Sequence, residues 1–301
     1  MANTFTEYFE NIRKIMREWG AWYRILTVMI LTVIYNIGYA ILFPSDAAGK
    51  ITIPTEINVP LLLLVILCAI LVSGYVLQVY SNRMNNYNNL MPKIDFLKMF
   101  VCGIKAIPFY IVWSLYFALT FIVLGIICGI LGSVISVLRP LFMLIGIIAI
   151  IIIIPAWYSI IALFAKDFSY KGNLNPMLLF EMISKTLLRI YAASFASFLG
   201  FLALIGVACL LTVPFVKNYM SMPPEALFVL GTIGLILVIY TAQVLSYALK
   251  CSIADITREE VDENNLTPTN NDDNSDDDVL NLDEYPFGND QNERDNGRLD
   301  L

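Results

Sequence analysis

The chain has 301 residues, of which 58% are hydrophobic and 15% are charged, and none is histidine. Soluble globular domains carry about 25% charged residues, so this composition argues against a water-soluble fold. The charges are also unevenly placed, because residues 255–301 have a net charge of −13 and residues 1–254 a net charge of +7, which sum to the formal −6. The acidic balance therefore belongs to the C-terminal segment alone.

The first 24 residues predict an amphipathic helix that lies against a membrane. Its apolar side chains can share one face, while its glutamate, arginine and lysine residues remain available to water. The apolar members are Phe5, Phe9, Ile12 and either Ile15 or Met16. Trp19, Trp22 and Tyr23 follow at the place where an interfacial aromatic belt is expected. We therefore expect this segment in the headgroup layer of a bilayer.

Six stretches of the chain are apolar and contain no Asp, Glu, Lys or Arg. A bilayer core roughly 30 Å thick needs about 20 apolar residues per helix, because backbone polar groups in lipid must be satisfied within the segment. The six stretches are residues 25–43, 60–80, 106–131, 141–165, 190–216 and 226–249. They predict an all-α integral membrane protein with six transmembrane helices.

Lysine and arginine are distributed unequally between the two sides of these spans. Thirteen of the sixteen basic residues in 1–254 fall on the side that holds the N-terminus, and three fall on the other side, namely Lys50, Arg139 and Lys217. Short cytoplasmic loops are enriched in basic residues. The bias predicts a multi-pass protein of the cell membrane with both termini in the cytoplasm.

The loops after the second and fourth spans share a pattern at an offset of 84 residues. They read Asn89-Leu90-Met91-Pro92 with Phe96, and Asn173-Leu174-Asn175-Pro176 with Phe180. In each copy the proline can occupy the first turn of a helix, and an amphipathic stretch follows. With the N-terminal segment, the pattern predicts three parallel hairpin repeats, each preceded by a cytoplasmic amphipathic helix. The loop motif itself is either a reused helix start or a ligand-contacting loop.

Three parts of the chain carry a family resemblance: residues 74–83, which begin Gly-Tyr and end Asn-Arg, residues 90–97, which contain Leu-Met-Pro-Lys-Ile-Asp, and the Gly-Ile-Lys-Ala of residues 103–106. Together they resemble the domain of unknown function 4013 family of uncharacterised polytopic membrane proteins. Asn82 and Arg83 stand in the reverse of the family order, and the second acidic residue and the tryptophan common after Asp95 are missing. The resemblance covers residues 1 to about 255 and implies a polytopic fold without any assigned activity, cofactor or site residue.

The composition of the spans weighs against an enzyme and against ion-coupled transport. Without histidine, the commonest general base and zinc ligand is missing, and the five scattered cysteines show no disulfide or metal spacing. We predict no catalytic, cofactor-binding or metal-binding residues. The polar residues at membrane depth either line a polar path or bond between helices: Asn36, Ser73, Gln78, Ser114, Thr120 and Gln243. Glycines are expected to allow close helix packing at Gly125, Gly129, Gly132, Gly200, Gly206, Gly231 and Gly234.

The segment 255–301 has low hydrophobicity and high charge, which predicts a disordered acidic cytoplasmic tail beyond a six-span membrane domain of residues 1–254. Within it, residues 279–287 form an acidic and hydrophobic patch that could fold on a protein partner. The sequence as a whole predicts a non-enzymatic membrane scaffold or assembly factor that contacts membrane lipid and, through the tail, a protein, with no nucleic-acid partner. The alternative is a transporter or channel for a small or lipophilic solute.

Overall fold

The computed structural model describes residues 2–44, 58–87, 89–134, 139–218 and 224–264. These ranges form seven α-helices and contain no β-strand, so the predicted all-α class is confirmed. The helices are α1 (Ala2–Arg17), α2 (Ala21–Leu42), α3 (Val59–Met84), α4 (Phe96–Val134), α5 (Arg139–Asp167), α6 (Met177–Asn218) and α7 (Pro224–Asn264).

Five helical stretches in the described part of the chain are long and apolar enough to cross a bilayer. They are Ala21–Leu42, Val59–Met84, Phe96–Ile127, Phe180–Leu210 and Gly231–Asp262. A helix suits this environment because each of its backbone hydrogen bonds closes within the segment. The protein is therefore an all-α, multi-pass membrane protein. The fourth predicted span, residues 141–165, falls inside α5, where several side chains lie outside the described part, so the count of six stays a prediction.

Of the three predicted amphipathic helices, α1 is a separate helix. It ends at Arg17, and Gly20 adopts φ 83°, a left-handed conformation that glycine takes readily, at the turn into α2. The other two amphipathic stretches are the first turns of α4 and α6, which continue into the spans without interruption. Pro108 lies inside α4 and does not end it.

The helix that follows the first repeated loop begins later than the sequence pattern predicts. We expected Pro92 in its first turn, but α4 begins at Phe96, where the Asp95 carboxylate accepts a hydrogen bond from the Lys98 N–H at 3.1 Å. Pro92 instead offers its carbonyl to the Tyr75 hydroxyl at 3.3 Å, which holds it in the loop. In the second copy Pro176 directly precedes α6, which begins at Met177.

Among the described residues, the buried side chains form two clusters. One forms around the rings of Phe109 in α4 and Phe164 in α5, which stack with centroids 4.2 Å apart. The other joins α1, α2, α3 and α7 around Tyr75 and Tyr247, whose rings meet edge to face at 5.9 Å. In contrast, large apolar side chains farther along α4, α6 and α7 are exposed, as expected for surfaces that face lipid.

Close helix packing occurs at Gly200, as predicted, where a Cβ atom would lie 3.2 Å from Leu245 of α7, and at two glycines that were not predicted for this role. A Cβ atom at Gly74 would collide with the backbone carbonyl of Met99, and one at Gly103 with that of Ile70, so α3 and α4 cross backbone to backbone. Among the described atoms, nothing lies within 4 Å of a Cβ placed at Gly125, Gly129, Gly206, Gly231 or Gly234. For these five glycines the expected close packing is therefore not seen among the described atoms, and it stays a prediction.

Helix α7 extends past the predicted boundary between membrane domain and tail. It runs to Asn264, and residues 251–257 are all buried. The stretch 255–264, assigned to the tail from its charge, is thus helical and partly internal. The remainder of the predicted tail, including residues 279–287, lies outside the described residues, as do Lys50 and the side chains of Arg139 and Lys217.

Candidate functional site

A buried layer of polar side chains lies where α1, the end of α3 and the extension of α7 meet. We call it the polar layer, and its members are Asn11, Arg83, Ser252, Asp255 and Arg258. Burial of such groups is favourable only when each finds a partner, since an unpaired charge in the interior is costly. The pairing within the layer therefore determines what it can do.

Asp255 is the centre of the polar layer. Its Oδ2 accepts hydrogen bonds from Arg83 Nη2 at 2.8 Å and from Asn11 Nδ2 at 3.2 Å. Its Oδ1 lies 2.5 Å from Arg83 Nε and 3.6 Å from Arg258 Nη2, as ion pairs. Asn11 also donates to the Ser252 hydroxyl at 3.1 Å. One carboxylate thus connects side chains from α1, α3 and α7.

Arg258 completes the layer and closes the end of α3. Its Nη1 donates to the backbone carbonyl of Arg83 at 2.9 Å and to Asn86 Oδ1 at 3.0 Å. Capping of a helix C-terminus by a cation is favourable because the last carbonyls lack partners within the helix. The two arginines carry one positive charge more than Asp255 offsets, and Arg258 directs its Nη1 donors to carbonyl and amide oxygens.

A second charged group joins α1, α6 and α7 next to the polar layer. Arg189 of α6 forms ion pairs with Glu259 and, at 3.6 Å, with Glu260. Glu7 of α1 faces the same group, and burial is the first cause that raises the pKa of its carboxyl, with Glu259 adding to it. Burial and the neighbouring carboxylate of Glu259 both disfavour the charged form of Glu7, so ionisation of Glu7 is unfavourable here.

The first repeated loop is fastened by a third set of polar contacts. Arg24 donates to the Met91 carbonyl at 2.5 Å and to Glu18 at 2.6 Å, while Glu18 accepts the Met91 N–H at 3.0 Å. Both backbone groups of Met91 are therefore held by one ion pair. Leu90 and Met91 are buried as well. This loop connects to the bundle and offers little open surface to a ligand.

The second repeated loop is held in a related way by different residues. Trp113 of α4 donates its Nε1–H to the Asn173 carbonyl at 3.0 Å, and the Tyr170 hydroxyl donates to the Lys105 carbonyl at 2.6 Å. Asn173 is buried and its side chain donates to the Ser169 carbonyl at 2.9 Å. The contacts of both copies fasten the loops to the bundle, which favours a structural role for the motif over a ligand-contacting loop, although the first copy does not start α4.

The six polar residues predicted at membrane depth do not converge on one path. Asn36 donates to the Thr32 carbonyl and Thr120 to the Tyr116 carbonyl, each at 2.8 Å within its own helix. Gln78 is buried, whereas Ser73 and Gln243 are half-buried on separate helices. Bonding to the preceding turn is an ordinary way to satisfy such side chains in lipid.

Ser114 is the member of this set that lines a cleft. The cleft lies between α4 and α5, has a volume of about 280 Å³ and is otherwise formed by apolar side chains. They are Phe117, Phe121, Ile153, Ile154 and Trp157. A cleft with one hydroxyl and aromatic walls suits an apolar molecule better than an ion.

The polar layer was missed by reasoning from sequence because its partners are distant along the chain, Arg83 and Asp255 being 172 residues apart. The available signal was the presence of charges in the last turn of α3 and beyond the last span. Within the described residues, no group of three cysteine or acidic side chains is arranged to hold a metal ion. The role that the polar layer supports is a structural one, namely to connect α1, α3 and α7.

The comparisons with known proteins agree with the resemblance read from residues 74–106. No curated protein and no solved structure matches the chain. The family described as Protein of unknown function (DUF4013) matches residues 59–216, from the start of α3 almost to the end of α6, which is slightly more than half of the chain. The chain therefore belongs to the DUF4013 family.

Proposed function

We propose that the protein is a non-enzymatic membrane scaffold or assembly factor. In this proposal six spans form three parallel hairpins, both termini lie in the cytoplasm, and the polar layer faces the cytoplasmic side of the cell membrane. The basic residues at that end support the orientation through the positive-inside rule. In this proposal the acidic segment after α7 binds the protein partners.

The observation that carries the proposal is the internal pairing of the buried charges. Arg83, Arg189 and Arg258 are each paired with a carboxylate on α7, and Asn11 joins α1 to the same carboxylate as Arg83. A catalytic or ion-transporting site requires polar groups that remain available to a substrate. Here they hold the N-terminal helix and the C-terminal helix to the bundle, which produces a fixed platform at one end.

The first experiment is affinity purification of the native complex from cells that express either the full chain or a variant ending at Asn264. The cut preserves Asp255 and Val261, which are buried, so the platform stays intact. We expect one or more proteins to be recovered with the full chain and lost with the shortened one. Recovery of the same proteins from both would contradict a tail-borne partner site, and recovery of none would contradict the scaffold function.

The orientation has its own test. Reporter fusions or single cysteines placed before Thr4 and after Asn264 should both report a cytoplasmic position. A reporter on the opposite side at either end would overturn the orientation without affecting the helical fold.

The cleft beside Ser114 supports a second candidate, a transporter or channel for a small or lipophilic solute. Its one hydroxyl among aromatic walls could guide such a solute between α4 and α5. Flux of lipophilic dyes into proteoliposomes should then fall in Ser114→Ala and persist in Thr120→Ala, whose hydroxyl is bound to its own helix. Equal flux with and without protein would exclude this candidate for those solutes.

A further inference from the structure

Helix α1 has two apolar sides, and the bundle covers one of them. Tyr8, Asn11 and Ile15 are buried against α6 and α7, where the Tyr8 hydroxyl donates to the Leu245 carbonyl at 3.4 Å. Phe9 and Met16 lie on the uncovered side with 52% and 64% of their surface exposed. An exposed apolar strip on a charged helix is typical of a surface that contacts a membrane or a protein partner.

Two arginines border this strip one helical turn apart. Arg13 and Arg17 are exposed, and within the described residues neither has a carboxylate partner. The arginines that do have such partners are Arg24, Arg83, Arg189 and Arg258. A guanidinium group presents paired donors that match the oxygens of a phosphate. This strip therefore combines apolar contact with two cations that are free to bind an anion.

The strip continues into surfaces that face the bilayer. Phe5 on α1 meets Phe195 of α6 edge to face at 6.4 Å, and Phe195 is itself exposed within a candidate span. At the other end, Trp19 and Trp22 are 93% and 60% exposed at the turn into α2. Tryptophan favours the boundary between hydrocarbon and headgroups. The partner that meets all of these groups at once is the membrane surface.

We propose that the uncovered side of α1 binds anionic phospholipid, with Arg13 and Arg17 on headgroup phosphates and with Phe9, Met16 and Trp19 in the interface. The site rests on the proposed position of the polar layer beside the cytoplasmic leaflet, whose surface is negative. Through Asn11 the opposite side of the same helix holds Asp255, so a lipid-bound α1 also fixes the start of the C-terminal segment.

The test uses the full-length protein in lipid nanodiscs. Fluorescence quenching of tryptophan by spin-labelled phosphatidylglycerol is compared with quenching by spin-labelled phosphatidylcholine, and subtraction of the Trp19→Phe protein isolates the signal of Trp19. The ratio of the two quenching curves gives the relative affinity of the site for the anionic lipid. We expect a preference for phosphatidylglycerol that weakens as salt is added.

The variant Arg13→Gln/Arg17→Gln should reduce that preference by up to about 30-fold, or to a ratio near one if the wild-type preference is smaller. Arg13→Lys/Arg17→Lys keeps the charge and loses the planar fork, so retention of only part of the preference indicates phosphate recognition. Because Arg13 and Arg17 are exposed, neither double variant should change the thermal unfolding of the protein.

Two results would overturn the lipid site. One is a wild-type ratio of one, and the other is a preference that survives in Arg13→Gln/Arg17→Gln. Quenching of Trp19 by an aqueous quencher but not by either lipid would place the strip in water or against a protein partner. The scaffold proposal can stand in each of these cases, because its test depends on the segment after Asn264.

Discussion

Arg83 near the end of α3 and Asp255 in α7 form a two-pronged ion pair, with Nη2 2.8 Å from Oδ2 and Nε 2.5 Å from Oδ1. Their side chains retain 16% and 7% of their exposed surface, so the pair is largely removed from water. Asn11 shares the carboxylate. This arrangement connects α1, α3 and α7 at one point.

Asp255→Asn should strongly destabilise the protein, by about 3 kcal/mol, because it leaves the buried Arg83 guanidinium without a countercharge. Reversible unfolding in mixed detergent micelles measures the change. The matched control is Glu10→Gln, which breaks the exposed Lys14–Glu10 pair and should cost less than about 0.5 kcal/mol. Similar losses in the two variants would show that Asp255 is not an energetic centre.

Gly103→Ala should disturb the crossing of α3 and α4, since its Cβ would collide with the Ile70 backbone carbonyl. A backbone carbonyl cannot rotate away as a side chain can, so we expect the free energy of unfolding to fall by about 1–3 kcal/mol. Gly125→Ala in the same helix meets nothing within 4 Å among the described atoms and should be neutral or gain up to about 1 kcal/mol in helix propensity. Thermal unfolding of both variants in one detergent decides the matter, and a neutral Gly103→Ala would contradict the crossing.

The apolar spans and the helical class were predictable because lipid imposes one local rule, that backbone groups be satisfied within a segment. The contacts between helices were not, since spacing along one helix does not specify its neighbour. Gly125 and Gly129 have the small-xxx-small spacing and meet no neighbour among the described atoms, whereas Gly74 and Gly103 pack without that spacing. The charge of Asp255 likewise predicted a solvated tail, but Arg83 from α3 and Arg258 from the same helical stretch offset its charge where it is buried.

Glu7 should make the attachment of α1 depend on pH. Burial is the largest cause that raises the pKa of this carboxyl above its ordinary 4.5, and Glu259 adds to it while Arg189 opposes it. The folded protein therefore binds the proton more tightly than the unfolded chain does. Stability should fall as pH rises from about 4.5 through the raised pKa and should be level at higher pH.

Hydrogen exchange of the α1 amides across this pH range is the measurement. Glu7→Gln should remove the pH dependence of α1 stability and slow exchange of the α1 amides at neutral pH. The glutamine side chain carries no charge that must be buried beside Glu259. Glu181→Gln changes an exposed carboxylate on α6 and should leave the pH dependence of α1 stability as it is in the unmodified protein. A slope that persists in Glu7→Gln would assign the effect to another group.

Tyr75 and Tyr80 provide a matched test of the loop fastening, because both are fully buried on α3 and only one hydroxyl has a partner within the described residues. Tyr75→Phe removes the hydrogen bond to the Pro92 carbonyl and should cost about 1 kcal/mol. Tyr80→Phe removes a buried hydroxyl that is without a partner there, so it should be neutral or stabilising by up to about 1 kcal/mol. Unfolding of the two variants under the same conditions gives the comparison, and a greater loss from Tyr80→Phe would contradict the role of Tyr75 in holding the first loop.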